Sequence, residues 1–306
     1  MDYKSSGVDI EAGNAFVERL KEKARSIGGF NGMMRVPAGY EKPVLVSGAD
    51  GVGTKINIAS IASDYTTIGQ DLVAMCVNDV ICSGAKPLYF LDYISTPRID
   101  ERLDQIMEGI FKGCEIAGVE LIGGETAEHP AQSEYDLAGF CTGIVEENGV
   151  IDGSIIRPGD KIIGIESSGL HSNGYSMIND MLWRHQIFYK ETPELITPTT
   201  IYASVVKELL EHQPIVGMAH ITGGGLLENV SRILPEGLKA EIDYNSWPFP
   251  PIFKKIMLAG NVLEEEMKRV FNLGIGFCVI VPPEAEDETK MLITPYHECW
   301  TIGETK

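Results

Sequence analysis

Residues 48–55, GADGVGTK, have the glycines of a phosphate-binding loop without the residue order of a Walker A loop. A Walker A loop ends in Gly-Lys followed by Ser or Thr, whereas here Thr54 precedes Lys55. Asp50 also lies inside the loop, where a carboxylate would repel a phosphate. The stretch is therefore either an accidental match or a different type of phosphate site, in which Asp50 holds a metal ion.

Three other glycine-rich turns occur later in the chain: GGETAE from residue 123, SSGLHSNGYS from 167 and TGGGL from 222. Because glycine has no Cβ, its backbone amide can approach phosphate oxygens closely. Any one turn is weak support for a ligand site. All four turns follow apolar stretches, however, so they could together line one cleft.

Three acidic residues have the pattern expected of a metal site. Asp79 lies inside the apolar stretch CVNDVIC, where it is either a cap, half of a buried ion pair, or a metal ligand. Glu125 follows a double glycine at a strand end, as Asp50 follows an apolar run. A few carboxylates, together with phosphate oxygens and water, suit Mg²⁺. The pattern predicts a magnesium site formed by Asp50, Asp79 and Glu125.

His171 is the histidine best placed for chemistry, because it lies in a polar turn before a helix. The alternative is a loop histidine with a structural hydrogen bond. His220, just before ITGGGL, is a weaker candidate. Lys55 closes the first glycine loop and so differs from an ordinary solvated lysine.

The composition excludes some classes of function. The net charge is −19, from 44 acidic and 25 basic residues, so a nucleic-acid partner is not expected. The start of the chain lacks a signal-peptide pattern, and no apolar run reaches the roughly 18–20 residues of a membrane helix. Six cysteines without a CxxC pair indicate reduced thiols, not a zinc site. We therefore expect a cytoplasmic protein without a membrane partner.

The apolar periodicity predicts a mixture of helices and strands. Strands are predicted at 42–50, 87–95, 119–128, 135–146, 160–169 and 274–282. Helices are predicted at 11–29, 66–84, 98–118, 172–184 and 198–211, and residues 217–234 combine a strand end, a turn and a helix. The stretches 183–198 and 284–300 continue no clear period. Since strands and helices do not alternate strictly, the pattern favours an α+β fold.

A segment rich in Gly and Pro, residues 147–161, separates two stretches of similar pattern. We predict two domains, residues 1–155 and 156–306, in keeping with the length of 306 residues.

Several of these blocks, in order from about residue 3 to about residue 280, resemble the phosphoribosylformylglycinamidine cyclo-ligase family. They include SSGVDIEAGNAFVERLK, PVLVSGADGVGTK, IGQDLVAMCVNDVICSGAKPLYFLDY, LIGGETAEHP, SSGLHSNGYS and AHITGGGLLENV. The ordered series is far more specific than any single loop.

The resemblance implies a homodimer in which the N-terminal domain contributes strands to an intersubunit β-barrel, with the C-terminal α+β domain packed beside it. ATP would lie in a cleft over the N-terminal domain, closed by the segment at 26–37. The reaction would be ring closure of formylglycinamidine ribonucleotide, a small nucleotide substrate. The γ-phosphoryl group of ATP would activate the formyl amide oxygen, and the amidine nitrogen would then attack.

The resemblance also implies roles for individual residues. Mg²⁺ would be held by Asp50, Asp79 and Glu125, and catalysis would involve His171 and Lys21. The residues implied at ATP are Gly51, Gly53, Thr54, Lys55, Asn78 and Thr126. The residues implied at the substrate are Ser6, Gly7, Asn173, Thr222, Gly223 and Gly224.

Two other functions stay open at this point. The first is another phosphotransferase of the same superfamily, acting for example on selenide or thiamine phosphate. Selenide chemistry would call for a reactive residue near the N-terminus, but the first cysteine is Cys76. The second is a non-catalytic ATP-binding subunit, which would have lost the acidic residues that are present here. The chain also departs from the family in being shorter between Lys21 and Gly28 and near 184–197 and 283–298.

Overall fold

Two β-sheets with covering helices organise the part of the chain that the structure, a computed structural model, describes: residues 10–23, 31–132 and 134–306. The α+β class expected from the sequence is confirmed. Ser6 and Gly7 lie outside the described residues. The sheets fall on either side of the predicted boundary at 155/156, and that boundary itself stays a prediction.

The first sheet has four strands in the order β1-β4-β2-β3. The strands are β1 (Pro43–Gly51), β2 (Lys86–Thr96), β3 (Glu120–Glu128) and β4 (Asp136–Glu146). β4 runs antiparallel to β1 and β2, whereas β2 and β3 are parallel. A parallel neighbour needs a crossover, and the helix α4 (Glu101–Ala117) provides it.

One face of this sheet is covered by α3 (Ile68–Ile81) and α4. Twelve of the 14 residues of α3 are buried, so this helix lies in the interior and not at the surface. α4 begins after Asp100, whose side chain accepts a hydrogen bond from the amide of Arg102. The opposite face of the sheet leaves Leu45, Tyr93 and Phe140 exposed.

The second sheet has five strands in the order β6-β8-β5-β9-β7, and all of its strand pairs are antiparallel. The strands are β5 (Lys161–Glu166), β6 (Gly217–His220), β7 (Ala240–Ile242), β8 (Ile275–Val281) and β9 (Cys299–Thr305). Every residue of β8 is buried, as expected for a continuous apolar run.

Eight further helices complete the described chain. They are α1 (Ile10–Lys23), α2 (Ile56–Ala62), α5 (Tyr175–Trp183), α6 (Ala203–His212), α7 (Gly225–Ser231), α8 (Pro251–Gly260), α9 (Glu264–Val270) and α10 (Glu286–Ile293). None of the helices in the described ranges is long and apolar enough to cross a membrane.

A single hydrophobic cluster connects the two halves. It includes Leu72 and Phe90 from the first half and Val205, Phe277 and Val279 from the second. A shared core of this kind fixes the position of one sheet relative to the other. Loops from both halves can therefore form one site with a defined geometry.

Most predicted elements are observed, but one predicted helix begins later than expected, and two stretches for which no element was predicted contain regular structure. Residues 198–202 are not helical, because the side chain of Asn78 binds this segment from α3. The stretch 183–198 contains two short 3₁₀ turns, at 189–191 and 193–196. The stretch 284–300 forms α10 and the start of β9. The end of the predicted helix at 11–29 lies partly outside the described residues.

Candidate active site

The glycine loop at 48–55 combines the end of β1 with one 3₁₀ turn, Gly53–Lys55. Gly53 has φ of +54°, and a Cβ at this position would meet no atom within 4 Å. The turn therefore needs glycine for its conformation, and its backbone borders open space. The amide of Gly51 donates to Asp50 Oδ1 at 2.7 Å, which orients the carboxylate.

Asp50, Asp79 and His220 come together beside this loop. His220 Nδ1 lies 2.8 Å from Asp79 Oδ1, and the imidazole is buried while the carboxylate is half exposed. Burial raises the pKa of Asp50, the Gly51 amide lowers it, and the nearby Asp79 carboxylate raises it further. A carboxylate whose charge is disfavoured by burial and by a neighbouring carboxylate is a suitable place for a divalent cation.

The structure does not bring Glu125 to this pair, which corrects the predicted three-carboxylate site. Two strands separate β1 from β3, so Asp50 and Glu125 are about 14 Å apart across the sheet. One row of residues across the paired strands consists of Asp50, Gly139, Asp92 and Gly124. Glu125 follows Gly124 along β3, so its side chain points to the opposite face of the sheet from that of Asp50. Within residues 10–23, 31–132 and 134–306, no group of three or more His, Cys, Asp or Glu could hold a metal ion.

Lys55 does not face the loop surface, which corrects its predicted contact with phosphate. Its side chain is fully buried, and Nζ donates to Asp71 Oδ1 at 2.8 Å, to the carbonyl of His171 at 2.9 Å and to the carbonyl of Thr197 at 2.7 Å. These bonds use all three ammonium protons. Burial lowers the pKa of Lys55, and the Asp71 carboxylate opposes that shift.

Asp71 is the other half of this pair, and the sequence analysis gave it no role. Its Oδ1 also accepts from the amide of Thr199 at 2.7 Å, from Thr199 Oγ1 at 2.6 Å and from Ser172 Oγ at 3.3 Å. One buried ion pair thus joins α3, the glycine loop and two segments of the second half. A carboxylate in an apolar helix was the signal that could have identified it.

Asn78 is also structural, which corrects its predicted contact with ATP. Its Nδ2 donates to the carbonyl of Thr200 at 2.8 Å, and its Oδ1 accepts from the amide of Tyr202 at 3.0 Å. With the residue fully buried and both ends of the amide occupied, the side chain supports the segment before α6.

His171 lies in the interior, with a left-handed φ of +59°. Neither ring nitrogen has a hydrogen-bond partner in the described part of the chain. Burial holds its pKa well below the usual value, and the charges of His220, Lys55 and His297 act in the same direction. The imidazole is therefore neutral at pH 7. A buried imidazole without partners is costly, which is typical of groups kept for function.

Three of the four glycine-rich turns converge, whereas the sequence indicated that all four could line one cleft. Asn179 Nδ2 donates to the carbonyl of Thr54 at 2.9 Å, and Thr54 Oγ1 is 3.4 Å from Ser176 Oγ. A Cβ at Gly223 would lie 3.7 Å from Asn173 Oδ1, so the third turn borders the second. The fourth turn, GGETAE, belongs to β3 and lies apart from these three.

Asn229 organises the third turn and was missed by the sequence analysis. Its Nδ2 is within 3.3 Å of the carbonyls of Thr222, Gly223 and Gly225. Asparagine within the apolar stretch LLENV was the available signal. Beside this turn is a cavity of about 360 Å³ lined by Gly174, Gly223, Gly224, Glu228, Glu266, Arg269 and Val270. Arg269 is the positive group at its wall, and the sequence analysis did not single it out.

A second cavity lies between α1 and β3, with Thr126 and Glu125 among its lining residues. Asp92, which the sequence analysis missed, also lines it. Burial raises the pKa of Asp92 to about 7; its own amide lowers the pKa and Glu125 raises it. Lys21 follows the wall residue Leu20 on α1, and its Nζ lies 2.6 Å from Glu18 Oε1. The signal for Asp92 was a carboxylate inside the apolar strand PLYFLDYIS.

Comparison with known proteins identifies the relatives of this arrangement. The family model "AIR synthase related protein, N-terminal domain" matches residues 32–145, and "AIR synthase related protein, C-terminal domain" matches residues 157–306. A phosphoribosylformylglycinamidine cyclo-ligase of Synechococcus sp. (strain CC9902) is 49% identical, with 99% of this chain and 95% of the relative covered.

The chain belongs to the phosphoribosylformylglycinamidine cyclo-ligase family.

Another member of the cyclo-ligase family, from Trichlorobacter lovleyi, is 48% identical, covering 99% of this chain and 94% of its own. The alignment with the Synechococcus cyclo-ligase extends over 329 positions, more than the 306 residues here, so that relative has segments that this chain lacks. The fold is also that of a hydrogenase maturation protein HypE solved in complex with ATP, with a TM-score of 0.67 at 17% identity. That match covers 94% of this chain and 86% of the HypE chain.

Proposed function

We propose that this chain catalyses the ATP-dependent ring closure of formylglycinamidine ribonucleotide to aminoimidazole ribonucleotide, with release of ADP and phosphate. This is the formation of a carbon–nitrogen bond by a ligase of de novo purine biosynthesis. The observation that carries the proposal is the 49% identity over nearly the whole chain to a cyclo-ligase. The convergent glycine turns beside Asp50 and Asp79 support it, because the reaction needs a site for a nucleoside triphosphate.

Asp50 and Asp79 would hold Mg²⁺, and Glu125 would not. Mg²⁺ is commonly bound by one or two carboxylates together with phosphate oxygens and water, so this pair suffices without a third carboxylate. The fit rests on the position of Asp79 beside β1, because a Cβ at Gly48, two residues before Asp50 on the same face of the strand, would lie 3.6 Å from Asp79 Cβ. The raised pKa of Asp50, to which the Asp79 charge contributes, agrees with this position. When bound, the ion would neutralise charge on the phosphates of ATP. His220 would orient Asp79 through the 2.8 Å contact.

The backbone of the glycine loop would contact the phosphates of ATP. Gly53 and Thr54 border the open side of the turn, whereas the amide of Gly51 is already bonded to Asp50. Lys55 would act indirectly by fixing the loop against the second half of the chain. Thr126 lines the α1–β3 cavity, and Lys21 follows the lining residue Leu20 in sequence; both would contact other parts of the nucleotide.

The reaction would transfer the γ-phosphoryl group of ATP to the formyl amide oxygen. The amidine nitrogen would then attack the activated carbon, and the oxygen would leave as part of inorganic phosphate. Because His171 is neutral, we assign it a hydrogen bond from an N–H group to this oxygen in preference to transfer of a proton. Holding the two reacting groups in contact would supply much of the remaining acceleration.

The substrate phosphate and ribose would bind at the turn Thr222–Gly224, next to Asn173. The Nδ2 atom of Asn173 is buried and has no hydrogen-bond partner among the described residues. Arg269, at the wall of the neighbouring cavity, supplies a positive charge for a phosphate. The carboxylates of Glu228 and Glu266 in the same wall would restrict where that phosphate sits.

The homodimer with an intersubunit barrel belongs to the same proposal. Its support is the uncovered face of the first sheet, where Leu45, Tyr93 and Phe140 are 58%, 38% and 43% exposed. A large exposed apolar patch is typical of an interface. The cytoplasmic location stays a prediction.

The proposal is tested by incubating the chain with formylglycinamidine ribonucleotide and Mg-ATP and measuring both products. We expect aminoimidazole ribonucleotide and ADP in equal amounts. A folded protein that binds ATP yet forms no aminoimidazole ribonucleotide would contradict the proposed function.

A further inference from the structure

Gly276 lies on the buried strand β8, and the absence of its side chain leaves room for two aromatic rings. A Cβ at this position would overlap Cε1 of His171 and the hydroxyl oxygen of Tyr202, and it would lie 3.1 Å from His171 Nδ1. Non-bonded carbon atoms pack best at about 3.5–4.0 Å. Even the smallest side chain could therefore be added here only by displacing a ring.

The backbone of Gly276 does not itself require glycine. Its φ lies outside the left-handed region that favours glycine. The pairing of β8 with β5 passes from Phe277 directly to Ile275, so Gly276 is the extra residue of a β-bulge. On the other side, its carbonyl accepts a hydrogen bond from the amide of Ile221 at 3.0 Å. Glycine is needed at this position for space and not for conformation.

Both rings beside Gly276 are attached to fixed parts of the structure. The carbonyl of His171 accepts from Lys55 Nζ at 2.9 Å, which holds the backbone that carries the imidazole. Tyr202 is fully buried; its hydroxyl donates to the carbonyl of Glu166 at 2.7 Å, and its amide donates to Asn78 Oδ1 at 3.0 Å. In a close-packed interior, neither ring has free space into which it could retreat.

The imidazole of His171 lacks the hydrogen bond that usually orients such a ring. In most functional histidines, one ring nitrogen bonds to a carboxylate or a carbonyl, and this bond fixes the ring. Neither nitrogen of His171 has a partner within residues 10–23, 31–132 and 134–306. The centroid of its ring lies 6.2 Å from that of Tyr202, with the planes inclined at 52°. Packing against Gly276 and Tyr202 therefore sets the direction of the ring.

We propose that Gly276 is the positioning residue of His171, with the space above its Cα taking the place of the usual hydrogen-bond partner. The inference rests on the proposed function for the role of His171, a hydrogen bond to the formyl oxygen. This arrangement holds the ring and leaves both of its nitrogens free for substrate. Gly276 acts through His171, and the effect is large because a misplacement of about 1 Å can cost about 100-fold in rate.

The test adds one methyl group at Gly276 in a background that isolates the contact with His171. Tyr202→Phe removes the hydroxyl that a Cβ would overlap, so Tyr202→Phe/Gly276→Ala keeps only the overlap with His171. We expect the kcat of this double variant for ring closure to lie about 10- to 100-fold below that of Tyr202→Phe. The KM for ATP should stay within about threefold, because the nucleotide contacts are unchanged.

Gly164→Ala in the same Tyr202→Phe background is the matched control. Gly164 is a buried glycine on the neighbouring strand β5, and the nearest atoms to a Cβ there belong to the side chains of Ile275 and Ile302, at 2.9 and 3.0 Å. It tests the general cost of a methyl group in this sheet. We expect its kcat to equal that of Tyr202→Phe within about threefold.

A double-mutant cycle with His171→Asn shows whether Gly276 acts through His171. Asparagine has no atom at the position of Cε1, so the methyl group meets less resistance in its presence. Gly276→Ala should then lower kcat by less than about threefold when His171→Asn and Tyr202→Phe are already present. A general disturbance of the fold would instead lower kcat by the same factor with and without the imidazole.

The position of the ring can also be measured without catalysis. The NMR signal of the His171 Cε1–H group is identified by its loss in His171→Asn. We expect Gly276→Ala to shift this signal in the Tyr202→Phe background, while the signals of the exposed His185 and His212 stay in place. If the methyl group prevents folding, adding His171→Asn should restore it, because the overlap with Cε1 is then removed.

The inference is overturned if the His171 signal does not move, if the methyl group lowers kcat equally with and without His171→Asn, or if His171→Asn fails to restore a lost fold. Failure of the proposed function gives a different result. A wild-type chain that closes no ring would contradict that function, and the NMR comparison would still test the position of His171. A shifted signal with an unchanged kcat would support the positioning by Gly276 and contradict the proposed role of His171.

Discussion

Lys55 Nζ lies 2.8 Å from Asp71 Oδ1, and neither side chain is exposed to solvent. The sequence places Lys55 at the end of a glycine loop, where a phosphate ligand was expected. The structure instead uses its charge to connect that loop to the carbonyls of His171 and Thr197, in the second half of the chain. The pair therefore positions the loops of the site and does not contact the ligand.

Lys55→Met should destabilise the protein, because it leaves the Asp71 carboxylate buried without its cation. Breaking a buried pair on one side costs about 3–5 kcal/mol. Urea unfolding should show this loss, and the double variant Lys55→Met/Asp71→Leu should be more stable than Lys55→Met alone. A stable Lys55→Met protein with an isolated loss of ATP affinity would show that Lys55 contacts phosphate after all.

Asp50→Asn and Asp79→Asn should each lower Mg-ATP-dependent phosphate release by about 100-fold or more, since electrostatic stabilisation of phosphoryl transfer is lost. Circular dichroism should show an intact fold. Asp136→Asn, an exposed carboxylate at the start of β4, is the control and should keep wild-type activity. Wild-type activity in both site variants would rule out the metal assignment.

Glu125→Gln should leave the Mg²⁺ dependence unchanged, because Glu125 lies on the opposite face of the sheet from Asp50. The measurement is the Mg²⁺ concentration that gives half-maximal activity. An increase of tenfold or more in this concentration corresponds to a loss of about 1.4 kcal/mol of binding energy. Such an increase would show that Glu125 is a Mg²⁺ ligand after all.

His171→Asn should reduce kcat by about 100-fold, the size expected for loss of one hydrogen-bond donor at a reacting oxygen. Asparagine also tolerates the positive φ at this position, so the turn should keep its shape. The KM for ATP should change by less than about threefold, because the proposed contact is with the formyl oxygen. A change confined to the KM for ATP would place His171 at the nucleotide instead.

Asp92→Asn should alter the pH dependence of stability. Burial raises the pKa of Asp92 to about 7, so the folded state holds a proton that the unfolded state releases near pH 4. The folded state then loses stability as pH rises from about 4 to 7, by up to about 4 kcal/mol. Asparagine does not titrate, so the variant does not lose stability in this way. The difference in free energy of unfolding, variant minus wild type, should therefore be larger at pH 8 than at pH 5. The same difference at both pH values would contradict the shifted pKa.

The sequence predicted the features that depend on local residue patterns, namely the secondary structure and the turns. Apolar periodicity located the strands and most helices, and glycine spacing located the three turns that converge at Thr54, Asn173 and Gly223. It also indicated that a carboxylate in the apolar stretch CVNDVIC is buried and has a special role, but the side chain of Asp79 is half exposed, and its role as a metal ligand stays a prediction.

The errors arose where a side chain's partner is distant along the chain. Lys55 and Asn78 looked like ligand contacts because, apart from Asp71, the residues that occupy their hydrogen bonds lie more than 100 positions later. Glu125 looked equivalent to Asp50 because both end apolar runs, but the strand order places them at opposite edges of the sheet. Strand order depends on the whole fold, so no local motif could have supplied it.

The central claim is that ATP activates the formyl amide oxygen, and isotope transfer tests it most directly. Formylglycinamidine ribonucleotide labelled with ¹⁸O in the formyl group would be converted in the presence of Mg-ATP, and the inorganic phosphate analysed by mass spectrometry. The account predicts one ¹⁸O atom in each phosphate released. Label that appears in water, with unlabelled phosphate, would contradict it.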